Sequence, residues 1–177
     1  MKNHNKLLKL ILAALFLALA YVMPFLTGQI PEIGSMLCPM HIPVLLCGFL
    51  CGPVWGSVIG LCAPLLRSVT LGMPPLFPTA AAMAFELAAY GLVCGIGYRF
   101  LPRRKPMIYV TLLGAMIVGR LVWGGAMMVC MGISGGAFGF SAFLSGALLQ
   151  AIPGIILQIV LVPVIVMAAE HFLPKTE

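Results

Sequence analysis

Apolar residues run along this chain in blocks of helical length, and the few polar residues punctuate them. Lys2, Lys6 and Lys9 precede a first run that reaches Leu26, Gly and Pro clusters separate the middle runs, and Arg103-Arg104-Lys105 interrupts the second half. The blocks predict helices over 6–26, 41–51, 54–71, 79–100, 107–131 and 142–172, with no strand-like alternation anywhere. Helices two and three stand out. Between Cys38 and Pro78, two apolar stretches of about 14 to 16 residues are hinged at Gly52-Pro53-Val54-Trp55-Gly56. That is below the roughly 20 residues needed to cross about 30 Å of hydrocarbon. Such stretches are expected to enclose a polar pocket as well as to anchor.

Composition turns this pattern into a class. With 62% hydrophobic and 8% charged residues, the chain has too few polar side chains to cover a water-facing surface. Lipid offers the backbone no hydrogen-bond partners, so each span must satisfy its own amides as an α-helix. The expected fold is an all-α membrane protein, a compact bundle of six transmembrane helices with helices two and three short, in which residues 1–177 form one integral-membrane domain. The net charge of +6 does not indicate nucleic acid, because Lys2, Lys6, Lys9, Arg99, Arg103, Arg104, Lys105 and Lys175 lie at span ends or termini. With both termini cytoplasmic, these cations fall inside and the loops 27–40, 72–78 and 132–141, which lack Lys and Arg, fall outside. The first run resembles a secretory signal ending at Ala18-Leu19-Ala20, but it continues apolar through Phe25 and is expected to persist as a span.

The six cysteines form no CxxC pair and no cluster with histidines at ligand spacing, so they read as packing residues, with no metal or cofactor implied. Small residues recur four apart at Ala14/Ala18, Gly48/Gly52, Gly56/Gly60, Gly91/Gly95 and Ala115/Gly119, a spacing that lets helix backbones approach closely in lipid. Most serve packing within the bundle. Ala14 and Ala18 lie on an otherwise bulky helix and also suit a partner protein.

Arg67, Glu86, Arg120 and Gln150 lie within apolar sequence, where ionisable groups are costly and face a cavity or each other. At 1.5 Å per residue, Arg67 lies about 16 Å and Arg120 about 20 Å from the inner ends of their spans, while Glu86 and Gln150 lie about 12 Å from the outer surface. All four fall near one depth, as a single site would require. Two cations against one carboxylate favour an anionic or zwitterionic ligand group, because Arg presents a planar donor fork. A structural ion pair of Glu86 with one arginine is the competing reading. Trp123 and Tyr90, each one turn from a charge, offer faces for stacking a flat ring. His41 is expected at the outer surface, capping the pocket.

These features resemble the substrate-binding S components of energy-coupling-factor (ECF) transporters, the bacterial importers of vitamins and related micronutrients. The resemblance rests on Ala14-x-x-x-Ala18, on Pro39-Met40-His41-Ile42-Pro43-Val44 leading into helix two, and on the Gly52-Pro53-x-x-Gly56 turn before helix three. It implies a non-catalytic subunit in a bacterial cell membrane. It further implies that Ala14 and Ala18 dock on a transmembrane coupling protein driven by two ATPase subunits, and that Glu86, Tyr90, Arg120, Trp123 and Gln150 bind a small-molecule micronutrient. No Walker-type loop is present, so ATP hydrolysis falls to partners. The alternatives are an accessory membrane protein without a ligand, or an intramembrane serine protease read from Gly132-Ile133-Ser134-Gly135. The protease reading requires a base near Ser134, and His4 and His171 lie at the opposite, cytoplasmic side.

Overall fold

The computed structural model describes residues 2–27, 36–102, 104–136, 139–146 and 151–172, and these are helical with short connections. Helix α1 spans Lys2–Val22 and runs into a 3-10 turn, Met23–Thr27, that contains Pro24. Helix α2, His41–Cys51, stops at Gly52, whose φ of 99° suits a residue without a Cβ. Pro53, which has no amide hydrogen to leave unpaired, opens α3, Pro53–Leu71. That helix closes on Gly72 in the left-handed conformation, with the Gly72 N–H donating to the Ser68 carbonyl at 2.9 Å. A helical turn at Leu76–Ala80 leads into α4, Ala81–Phe100. Helix α5, Lys105–Ile133, carries a proline in its first turn; α6 is the short Phe140–Leu144, and α7 spans Ile152–Phe172.

Among the described residues, five helices are long and apolar enough to cross a membrane, whereas α2, with 11 residues, is not. Of the two helices expected to be short, α3 has 19 residues and extends about 28 Å, so the expectation holds for α2 alone. Within the block 142–172, α6 ends at Leu144 and α7 begins at Ile152, with 147–150 outside the described residues. Pro153, in the first turn of α7, has no N–H to leave unpaired and suits a helix start. The other boundaries agree to within a few residues.

Helix α4 is central and packs against α2, α3 and α5; α1 covers α2 and α3, and α7 packs against α2 and α5. Glycine makes the central crossing possible. A Cβ at Gly56 would sit 2.7 Å from the Gly48 Cα and 2.8 Å from the Gly91 carbonyl oxygen, while Cβ atoms at Gly60 and Gly91 would fall on the backbones of Leu87 and Gly56. Three helices therefore meet backbone to backbone, which maximises van der Waals contact where lipid supplies no hydrophobic drive between helices. The expected packing role of these pairs holds at this crossing.

One end of the bundle carries Lys9, Arg99, Arg104 and Lys105. There Tyr98 donates to the Glu170 carboxylate and meets Phe49 edge-on at 5.5 Å, tying α4 to α7 and α2. On the outer face of α1, Ala14 and Ala18 are exposed, while Ala13, Phe16 and Ala20 face the core.

Candidate functional site

The short α2 decides where the site lies. Counted from the Gly52 hinge, its 11 residues place His41 only about 16 Å along the bundle, so the helix begins at mid-depth rather than at a surface. Gly48 lies beside Gly91, which fixes α2 alongside α4 and brings His41 level with Glu86. Gly119 lies against the Tyr90 ring, and this register lets the next residue, Arg120, reach across to α4.

The result is a cluster from three helices. Arg120 Nη1 pairs with Glu86 Oε1 at 2.9 Å, and His41 Nε2 stands 3.6 Å from the same oxygen. Tyr90, one turn from Glu86 on α4, meets the His41 ring at 5.3 Å and 61°. Arg120 Nη2 also points to Cys38 Sγ at 3.9 Å. Glu86 is 1% exposed and Arg120 14%, so the pair is withdrawn from water. The amino end of α2 adds a partial positive charge beside the carboxylate. His41 Nδ1 and Arg120 Nε have no hydrogen-bond partner among the described residues. Arg120 Nε is a donor held in reserve, and His41 Nδ1 accepts or donates according to the tautomer.

The structure thus gathers Glu86, Tyr90, Arg120 and His41. His41 is not at the surface as the sequence implied; it is buried beside the carboxylate because α2 starts so deep. Trp123 lies one turn along from Arg120, stacked on Phe143 of α6 at 6.3 Å and 30°, with Gly146 against its ring. Arg67 is placed apart from the cluster. The contacts of Gly56 with Gly91 and of Gly60 with Leu87 set it opposite Ala80, about 9 Å beyond Glu86 along the axis. There it donates to the Tyr21 carbonyl at 3.2 Å and lies over the Phe25 ring at 5.3 Å. Gln150 lies outside the described residues. One neighbour of the cluster escaped the sequence reading: Cys38, which reads as packing and lies within 3.9 Å of Arg120. Ser134 donates to the Cys130 carbonyl of its own helix at 3.1 Å, and His41 is committed to Glu86, so neither has the partner a protease needs.

A multi-helix apolar bundle that holds an ionic cluster at mid-depth defines an integral membrane protein built around an intramembrane polar site. Residues 8–166, nearly the whole chain, match the family model for the substrate-specific component of ECF transporters, and the chain belongs to that family. No curated protein and no solved structure matches it. The protein is therefore a multi-pass, substrate-specific transport subunit, with a role in uptake and not in catalysis.

Proposed function

We propose that the protein binds a vitamin or related micronutrient at the Glu86–Arg120–His41–Tyr90 cluster. It then delivers the nutrient inward by docking on a coupling protein driven by two ATPase subunits. The observation that carries this reading is the buried Glu86–Arg120 pair, contributed by separate helices and flanked by the unpartnered nitrogens His41 Nδ1 and Arg120 Nε. With Arg67 set apart, the cluster holds one arginine and one carboxylate, so the ligand that fits is a zwitterion or a neutral molecule with donor and acceptor edges. Its acceptor takes the Arg120 fork, its donor takes Glu86, and neither protein charge is left bare. Trp123 supplies a stacking face one turn further out, and Arg67 stands towards the rim.

In this reading both termini are cytoplasmic and the cell membrane is bacterial. Ala14 and Ala18, exposed on α1, form the docking face. Thermal-shift titration of the purified protein against a vitamin panel that includes pantothenate and a modified purine base tests the site. At least one compound is expected to raise the unfolding midpoint, and Arg120→Ala or Glu86→Ala to weaken it at least tenfold. A compound bound equally well by both variants removes the cluster from the site, and a panel without any binder favours an accessory protein.

A further inference from the structure

Gln158, on α7, is 1% exposed, and neither Nε2 nor Oε1 has a hydrogen-bond partner among the described residues. An amide left in that state destabilises the fold, so it asks for an explanation. Depth supplies the first clue. Tyr98 and Glu170 join α4 to α7 near the basic end, towards which both helices run, and Glu86 precedes Tyr98 by the same number of residues as Gln158 precedes Glu170. Each lies about 18 Å from that contact, so the orphan amide and the buried carboxylate share one level.

Direction supplies the second. Ala151, Gln158, Val162 and Val166 form the buried stripe of α7, and on it Gly154 lies against the backbone of Met36 and Leu37, just ahead of Cys38. That stripe packs on α2 and α5, the helices that carry His41 and Arg120. Both present unpartnered nitrogens of their own, His41 Nδ1 and Arg120 Nε.

We infer that Gln158 is a specificity-determining ligand contact, the wall of the site opposite Glu86. It takes a ligand with adjacent N–H and C=O groups, such as a lactam or carboxamide edge. Its amide accepts from the ligand N–H through Oε1 and donates to the ligand carbonyl through Nε2, a pairing that no single charged residue supplies. This inference rests on the proposed site at Glu86.

Accessibility of substituted cysteines tests both separately. In a full-length chain whose native cysteines are replaced and which is reconstituted in lipid nanodiscs, Gln158→Cys, Glu86→Cys and Val160→Cys are treated with 2-aminoethyl methanethiosulfonate. Val160, 60% exposed on the outer face of α7, reports lipid. Reaction at Gln158→Cys within tenfold of Glu86→Cys, with Val160→Cys unreactive, supports the inference. Reaction at Glu86→Cys alone overturns it and leaves the site standing; reaction at neither, or at Gln158→Cys alone, overturns both. Gln158→Leu in the otherwise native chain is a second test. The ligand-free midpoint should rise by about 2–4 °C as the unpaired amide is removed. A lower midpoint makes the amide structural and ends the inference.

Discussion

Glu86 and Arg120 neutralise each other at a depth where an apolar pair would fold as well or better, since desolvating two ions cancels much of their attraction. Removing one partner is worse than removing both. Arg120→Met is expected to cost about 3–5 kcal/mol by stranding the carboxylate, and Glu86→Gln combined with Arg120→Met to recover most of it while binding no compound of the panel. Thermal unfolding of the single and double variants measures this; a double variant as unstable as the single one removes charge stranding as the cause. These two residues were legible because each is a charge inside an apolar run, and residue counting gives depth. Counting does not give direction around the helix axis. Arg67 lies about 9 Å beyond the level of Glu86, and its side chain turns to Tyr21 and Phe25 on α1. His41 differs in depth from its expected place at the outer surface, because an 11-residue helix that ends at the Gly52 hinge must begin near the middle of the bundle.

Among the elements, the crossing of α2, α3 and α4 is the tightest joint described, and its tolerance is set by backbone. Gly91→Ala drives a methyl into Gly56, where no side chain can yield, so a loss of about 2 kcal/mol or more, or failure to fold, is expected. Gly114, with no atoms within 4 Å of its would-be Cβ, is the control: Gly114→Ala should be neutral or stabilising by about 0.5–1 kcal/mol. Equal effects in a chemical or thermal unfolding series would remove the crossing as the source. Most spans could be read in advance because Pro and Gly punctuate apolar runs at Gly52, Gly72 and Lys105-Pro106. The start of α7 at Ile152 was harder to read, because apolar residues lie on both sides of it. Pro153, whose missing amide hydrogen costs nothing in a first turn, is the local cue.

At the scale of the whole molecule, recognition and docking occupy different surfaces: the ionic cluster is enclosed by α2, α4 and α5, whereas Ala14 and Ala18 look outward from α1. Substituting Ala14→Trp or Ala18→Trp should therefore leave the thermal shift by a bound compound intact and abolish uptake in cells that carry the coupling and ATPase subunits. Loss of the thermal shift as well would mean that α1 shapes the pocket. At Gly154, α7 rests on the main chain of Met36 and Leu37 just ahead of α2. A methyl group there would meet backbone that cannot rotate aside, so even the smallest side chain at position 154 has to push that turn and α7 apart.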